Sequence, residues 1–233
     1  MPRHATITTA SHIGDRTENE DACRVAEAPD GRQLAVVCDG VGGHAAGRTA
    51  SETAADAFVD GWRKLPKMVD GRMEQALIIA NASVGDHIEA DTRLHGMATT
   101  LLAVELDSDG AEWISVGDSP LWHWSWNRRE VRQLNRRHNA PGNPHMLISA
   151  INGGRIAEKD RGTIVPAVGD LLIAASDGLD TLGPDELLAA IDRGRGQREE
   201  TLAASLVRAA LDKGAKHQDN VTVVALWAIA PEG

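Results

Sequence analysis

Four aspartates stand where apolar runs of the sequence meet a turn. Asp39 follows VVC, Asp118 follows ISVG, Asp177 follows LLIAAS, and Asp219 comes just before VTVVAL. Carboxylates held at rigid strand ends can converge on one point, where they repel one another unless a cation lies between them. Sites rich in carboxylate oxygen suit Mg²⁺ or Mn²⁺ rather than zinc. The pattern therefore predicts a centre for divalent cations.

The neighbours of these aspartates support that interpretation. Gly40 follows Asp39 directly, and a residue without a side chain lets backbone groups approach an ion closely. The stretch RTENEDA adds Glu20 and Asp21 beside a further strand. The alternative for any single Asp-Gly pair is an ordinary turn, because both residues are common there. Arg16, in the same stretch, would by default be a solvated surface charge.

The sequence lacks the motifs of zinc sites, cysteine phosphatases and serine hydrolases. The sequence has no CxxC or HxxxH spacing for zinc. Cys38 lacks the Cys-x5-Arg phosphate loop of cysteine phosphatases, and Ser176 lacks the Gly-x-Ser-x-Gly elbow of serine hydrolases. Cys23 and Cys38 are too few for a disulfide scaffold, which favours a reducing, cytoplasmic compartment.

Hydrophobic periodicity predicts an α+β fold of antiparallel sheets covered by helices, because strands cluster towards both ends of the chain and helices come in pairs. Strands are predicted at residues 5–9, 22–26, 34–38, 99–106, 111–117, 121–126, 131–134, 171–176 and 221–229. Helices are predicted at 47–65, 72–90, 184–192 and about 198–213. The absence of a repeat or linker predicts one domain over 1–233.

Charge and hydropathy limit the kinds of partner and the cellular location that we expect for the protein. The net charge of −10 argues against nucleic acid or an anionic membrane as a partner. No apolar run approaches the ~20 residues that span a bilayer, and the N-terminus has no hydrophobic signal core. We therefore expect a cytoplasmic protein.

The motifs, taken in order, resemble one protein family. RTENEDA, VVCDGVGGHAAG, GMATTL, SVGDS, LLIAASDGL and DNVTVV occur in the order found in the metal-dependent protein phosphatases of type 2C, the PPM family, in its bacterial form. The resemblance runs from about residue 12 to 229. It implies a β-sandwich of two antiparallel sheets flanked by pairs of α-helices. It also implies two Mn²⁺ or Mg²⁺ ions, with a water between them that attacks the phosphorus directly.

The resemblance also implies roles for particular residues. Asp39 matches the carboxylate that bridges both ions, and the Gly40 carbonyl binds one of them. Asp177 and Asp219 match ligands of the other ion. The remaining matches are Glu20, which holds metal-bound water; Asp21, which orients the site; Asp118, which with Asp177 holds a third ion; and Arg16, which grips the substrate phosphate.

Three departures from the family pattern bear on these roles. Val41 stands where many eukaryotic members have a histidine as candidate acid, and His44 is a substitute candidate for the general acid. Pro120 replaces an arginine, and Arg137 stands where the family has an aspartate. The stretch between Asp118 and Asp177 is short. We therefore expect the helical flap to be reduced or absent, the cleft to be open, and any third metal to be weakly held.

The expected function is hydrolysis of phosphoserine and phosphothreonine in proteins, with a substrate phosphorylated by a Ser/Thr kinase. The alternative is a pseudophosphatase, in which the same fold binds phosphoproteins without turning them over. A metal-dependent phosphodiesterase or nuclease on another fold is disfavoured by the acidic charge. The sequence leaves the oligomeric state and the physiological metal open.

Overall fold

The computed structural model describes residues 4–41, 45–66, 68–69, 71–195 and 201–229. Its strands, in chain order, are β1 (His4–His12), β2 (Asp21–Glu27), β3 (Gln33–Val41), β4 (Ala98–Thr99), β5 (Leu101–Leu106), β6 (Ala111–Val116), β7 (Leu121–Ser125), β8 (Glu130–Gln133), β9 (Asn139–Ala140), β10 (Asn143–Leu147), β11 (Asp160–Ile164), β12 (Leu171–Ala175) and β13 (Val221–Ile229). The helices are α1 (Ala45–Lys64), α2 (Arg72–Ala90), α3 (Pro184–Gly194) and α4 (Leu202–Asp212), with short 3₁₀ helices at Thr92–Leu94 and Asp177–Thr181.

The strands form two antiparallel sheets that pack face to face. One sheet has five strands in the order β1-β13-β12-β7-β8, and the other has six in the order β11-β6-β5-β3-β2. The first and last strands of the chain are neighbours, with His4 opposite Ile229 and His12 opposite Val221. Short β4 pairs with β3, and β9 pairs with β10 outside both sheets.

Strand β3 shows how the sequence divides the core. Leu34, Val36 and Cys38 face α1 and α2, whereas Ala35 and Val37 face the other sheet. Because successive side chains of a strand point to opposite faces, one uniformly apolar run can serve both layers. A third apolar cluster lies between the five-stranded sheet and α3 and α4. The result is a four-layer arrangement of helices, sheet, sheet and helices.

A buried ion-pair network fastens α1 and α2 to the six-stranded sheet. The Glu105 carboxylate accepts hydrogen bonds from the Trp62 indole and from the Arg72 guanidinium. Arg32 approaches it to 3.6 Å and lies 4.9 Å from the centre of the Trp62 ring. The Glu105 side chain is only 1% exposed, so its charge depends on these partners for compensation.

The expected α+β sandwich is confirmed, and the flap region agrees with the expectation of a reduced flap. Residues 135–160 contain the β9–β10 pair and loops, without a helix. Sequence reasoning missed β11, whose DRGTI pattern has few apolar residues because it is the edge strand beside β6. No helix in the described ranges is long and apolar enough to cross a bilayer.

The architecture brings the acidic strand ends to one end of the sandwich. Asp39 is the third residue from the end of β3, β6 runs towards Asp118, and β12 runs towards Asp177. Strand β13 is antiparallel to β12, so its beginning, next to Asp219, lies at the same end. Asp21 opens β2 directly opposite Asp39 in the sheet register. Topology alone therefore gathers these carboxylates.

Candidate active site

Two threonines of the GMATTL motif fix the backbone of Asp39. The Thr100 amide and the Thr99 hydroxyl each donate to the Asp39 carbonyl oxygen at 2.9 Å. The Asp39 amide in turn donates to Thr100 Oγ1 at 2.9 Å. These bonds leave the carboxylate of Asp39 as the only polar group of the residue that faces the site. The sequence analysis used this motif for the resemblance but assigned no role to Thr99 or Thr100.

Gly40 lies in a crowded backbone crossing next to Asp39. A Cβ at Gly40 would lie 2.2 Å from the Gly47 carbonyl oxygen and 2.7 Å from the Glu20 carbonyl oxygen. A Cβ at Gly47 would in turn meet the Glu20 carboxylate at 2.6 Å. Only glycine permits three chain segments to approach this closely. The crossing places the Gly40 backbone and the Glu20 side chain together at the edge of the site.

Asp118 and Asp177 form the opposite side of the site. Asp118 is 8% exposed, and its Oδ2 accepts a hydrogen bond of 2.8 Å from the Asn139 side chain. Asp177 begins the 3₁₀ helix Asp177–Thr181, which packs against α4 and β13. A Cβ on Gly178 would lie 2.0 Å from the Asn220 carbonyl oxygen, so glycine is required there too.

Asp219 and Arg16 meet at the rim. The Arg16 guanidinium donates to Asp219 Oδ2 at 2.6 Å, and the two side chains are 59% and 39% exposed. Asn220 holds the Arg16 loop in place: its amide group donates to the carbonyls of Ile13 and Glu18, and its Oδ1 accepts from the Glu20 amide. Sequence reasoning missed this role of Asn220, because a side chain that hydrogen-bonds to a distant loop leaves no periodic pattern in the sequence.

These residues line one pocket of about 830 Å³. Of the predicted site residues, the pocket contains Arg16, Glu20, Asp39, Gly40, Asp118, Asp177 and Asp219. Asp21 does not line it but lies against it, where the Ser176 hydroxyl donates to Asp21 Oδ2 at 2.7 Å. The candidate general acid His44 lies outside the described residues. The structure thus brings together carboxylates that are up to 199 positions apart in the chain, from Glu20 to Asp219.

Burial, together with neighbouring negative charges, raises the pKa values of Asp39, Asp177 and Asp21. Burial, followed by the charges of Asp21 and Asp177, raises the pKa of Asp39 well above its ordinary value. Burial and the charges of Asp118 and Asp219 raise the pKa of Asp177 to about 7. Burial also raises the pKa of Asp21 to about 6, although its bond to Ser176 opposes the change. In the absence of a cation this cluster therefore opposes its own ionisation.

The donor set fits a hard divalent cation. Its donors are carboxylate and carbonyl oxygens, and Asp21 Oδ1 is enclosed without a hydrogen-bond partner among the described residues. As the side chains stand, however, no group of three or more His, Cys, Asp and Glu residues in the described ranges is arranged to hold a metal ion. The bond from Arg16 to Asp219 contributes to this, because it engages one candidate ligand. The chemistry fits, whereas a complete coordination shell is not formed.

The model of one family, protein phosphatase 2C, matches residues 8–189. The chain belongs to the protein phosphatase 2C family. This membership confirms the resemblance drawn from the motifs.

Individual relatives agree with this membership. The serine/threonine phosphatase stp of Listeria monocytogenes is 26% identical over 231 residues, which cover 90% of each chain. The catalytic domain of the phosphatase PstP, solved with 2 manganese ions, is 25% identical and aligns over 99% of this chain and 100% of that one with a TM-score of 0.81. A Streptococcus agalactiae serine/threonine phosphatase, 23% identical, has the same fold, with a TM-score of 0.83 over 97% of this chain and 100% of that one. Nothing in these comparisons favours the pseudophosphatase alternative.

Proposed function

We propose that this protein is a metal-dependent protein phosphatase that hydrolyses phosphoserine and phosphothreonine. The observation that carries the proposal is the convergence of Asp39, Asp177 and Asp219 on one pocket with Arg16 at its rim. Carboxylates in this number are costly to gather unless they serve a cation. Family membership gives the reaction class. The proposed cofactors are Mn²⁺ or Mg²⁺.

In this proposal each side chain has a defined task. Asp39, the Gly40 carbonyl, Asp177 and Asp219 would hold two divalent ions, and Glu20 would hold water beside them. Bound divalent ions lower the pKa of water and offset the charge that develops on phosphoryl oxygens. The protein fixes its own carboxylate and carbonyl oxygens at rigid strand ends, so that little reorganisation is needed during the reaction.

Asp21 is the proposed positioning residue that orients the site. Its Oδ2 is occupied by the Ser176 hydroxyl, whereas its Oδ1 is enclosed and has no hydrogen-bond partner in the described part of the chain. Ser176 also accepts a hydrogen bond from the Thr222 amide, which fixes the hydroxyl's position. One carboxylate oxygen is thus held by the protein, and the other is enclosed beside the pocket.

Arg16 is the proposed phosphate ligand. Its side chain is 59% exposed, and its guanidinium lies at the pocket rim, where it can donate two parallel hydrogen bonds to a phosphoryl group. The bond to Asp219 positions the guanidinium beside the candidate metal ligands. A lysine at this position would supply the charge without the paired donors.

The proposal extends to the setting of the reaction. The substrate is a protein phosphorylated by a Ser/Thr kinase, and the site of action is the cytoplasm. The free cysteines Cys23 and Cys38 and the net charge of −10 are consistent with a reducing compartment and a partner that is not a nucleic acid.

The test is hydrolysis of p-nitrophenyl phosphate and of a phosphothreonine peptide. We expect activity with Mn²⁺ and none with a chelator. Asp39→Asn should lose at least about a hundredfold in activity, because it removes a proposed carboxylate ligand of the metal ions. Each tenfold loss corresponds to about 1.4 kcal/mol of transition-state stabilisation. Arg16→Lys should lower kcat/KM about tenfold or more. Asp109→Asn, in the loop at the far end of β5, is the matched control and should retain full activity.

Two results would contradict the proposal. Turnover that survives chelation would remove the metal from the mechanism. Tight binding of the phosphopeptide without turnover in saturating Mn²⁺ would favour the pseudophosphatase alternative instead. Isothermal titration with Mn²⁺ separates these cases, because it reports metal binding independently of catalysis.

A further inference from the structure

Arg137 is an arginine held at the edge of the carboxylate cluster. Its guanidinium donates to both carboxylate oxygens of Asp180, one of them at 2.8 Å, and its side chain is 27% exposed. Asp180 belongs to the same 3₁₀ helix as Asp177, three residues further on. Side chains three apart in a 3₁₀ helix lie on the same side. Arg137 is therefore anchored next to the element that presents Asp177.

The residues that follow Arg137 attach it to the strand end that presents Asp118. The His138 amide donates to the Gly117 carbonyl at 3.0 Å, and the Gly117 amide donates to His138 Nδ1 at 3.1 Å. The Asn139 side chain donates to Asp118 Oδ2 at 2.8 Å. His138 is fully buried, so this connection is not a surface loop contact. Arg137 thus spans the gap between the Asp118 element and the Asp177 element.

The charges around Arg137 follow from this placement. Burial lowers the pKa of the guanidinium, but its bond to Asp180 and the charges of Asp180, Asp118 and Asp177 outweigh burial and raise it. Two of these acids are the residues expected from the sequence to hold a third ion. A permanent positive charge beside them reduces the attraction that they exert on a further cation.

We propose that Arg137 is a built-in cation that takes the place of a third metal ion beside Asp118 and Asp177. This rests on the proposed two-metal function, and it changes the role expected for Asp118 from metal ligand to counter-charge. Where the family has an aspartate that would add negative charge, this chain has a guanidinium bonded to Asp180. The enzyme then needs two ions, and its third cation is part of the polypeptide.

The test is the number of Mn²⁺ ions bound, measured by isothermal titration and by electron paramagnetic resonance of free Mn²⁺. We expect the unaltered protein to bind two ions up to millimolar Mn²⁺. Arg137→Ala and Arg137→Asp should bind a third, at least about tenfold more tightly than any third ion on the unaltered protein, because a nearby positive charge has been removed. Arg137→Lys, which keeps the charge, should remain at two.

Arg136→Ala is the matched control. Arg136 is the preceding residue, and it pairs with Glu158 at 2.9 Å rather than with the cluster. It should bind two ions. Circular dichroism confirms that each variant is folded before titration. Asp180→Asn is a second variant, which weakens the hydrogen bonds that hold the Arg137 guanidinium but keeps Arg137 itself. This variant should exclude the third ion less strongly than the unaltered protein does.

The outcomes separate the two proposals. Three ions on the unaltered protein, or two on Arg137→Asp, would overturn the role of Arg137 while leaving the two-metal phosphatase intact. No Mn²⁺ binding and no turnover in the unaltered protein would overturn the proposed function itself.

Discussion

Replacing Asp177 by asparagine should stabilise the metal-free protein and weaken its response to metal. Asp177 lies among carboxylates, and burial with the charges of Asp118 and Asp219 raises its pKa from 3.8 to about 7. A carboxyl group whose pKa is higher in the folded state binds more protons there than in the unfolded chain. Stability is therefore lost as the pH rises from about 4 to about 7, and the full penalty applies above pH 7. Asparagine has a similar shape and carries no such penalty.

The magnitude follows from the same pKa. A rise from 3.8 to about 7 corresponds to a penalty of about 4 kcal/mol at most, at 1.36 kcal/mol for each tenfold change in proton affinity. Water reaches this half-buried residue and screens its charge, so we take about 2–4 kcal/mol as the expected gain at pH 8. For a chain of 233 residues that is about 4–16 °C in the unfolding temperature.

The assay is thermal and urea unfolding of both proteins at pH 4 and pH 8, with chelator and then with Mn²⁺. With chelator, the variant should be more stable at pH 8, and the two proteins should be alike at pH 4. With Mn²⁺, the unaltered protein should gain about 3 kcal/mol for each ion present at a hundredfold excess over its dissociation constant, and the variant should gain less. Asp109→Asn should match the unaltered protein throughout. Equal stability at pH 8 in chelator would refute the reasoning.

Two further predictions concern the scaffold. Gly40→Ala should unfold at lower temperature and bind Mn²⁺ at least about tenfold more weakly, because its Cβ would lie 2.2 Å from the backbone oxygen of Gly47, which cannot move aside as a side chain could. Gly96→Ala is the control, because a Cβ there would meet open space. It should lose only about 1 kcal/mol of unfolding free energy and keep its metal affinity. Glu105→Gln should cost about 3–5 kcal/mol in urea unfolding, because it removes the buried counter-charge that bonds to Arg72 and lies 3.6 Å from Arg32. Glu112→Gln, whose carboxylate is 38% exposed and 3.9 Å from Arg72, should cost less than about 1 kcal/mol, and equal losses in the two variants would contradict the network's role.

The long periodic elements of the fold could be predicted from the sequence. The helix predicted at 72–90 matches Arg72–Ala90, and the strand predicted at 221–229 matches Val221–Ile229. These segments carry their own hydrophobic pattern, so tertiary contacts only reinforce it. β9, β10 and β11 were missed because their strand character comes from pairing with neighbours, not from apolar alternation. The start of α4 also shifted, to Leu202 with Thr201 as its N-cap, from the predicted start near 198.

The acidic members of the site could be predicted because strand ends and turns have a sequence signature. Their supporting contacts could not. The bonds from Thr99 and Thr100 to Asp39, and the clip made by Asn220, join segments far apart in the chain. The resemblance showed that Arg137 departs from the family, but its bond to Asp180 depends on how two loops pack. The roles assigned to individual residues remain predictions.

The pairing of β1 with β13 has a practical consequence for handling the protein. His4 and Ile229 are directly opposite each other, and the strands then run about 30 Å to His12 and Val221 at the pocket end. An affinity tag, a fluorophore or a surface tether attached before His4 or after Ile229 would therefore start on the side remote from the cleft. Because the two points are adjacent, a short peptide could also join them, and the chain could be reopened in the exposed turn between β5 and β6 to give a circular permutant with its active site undisturbed.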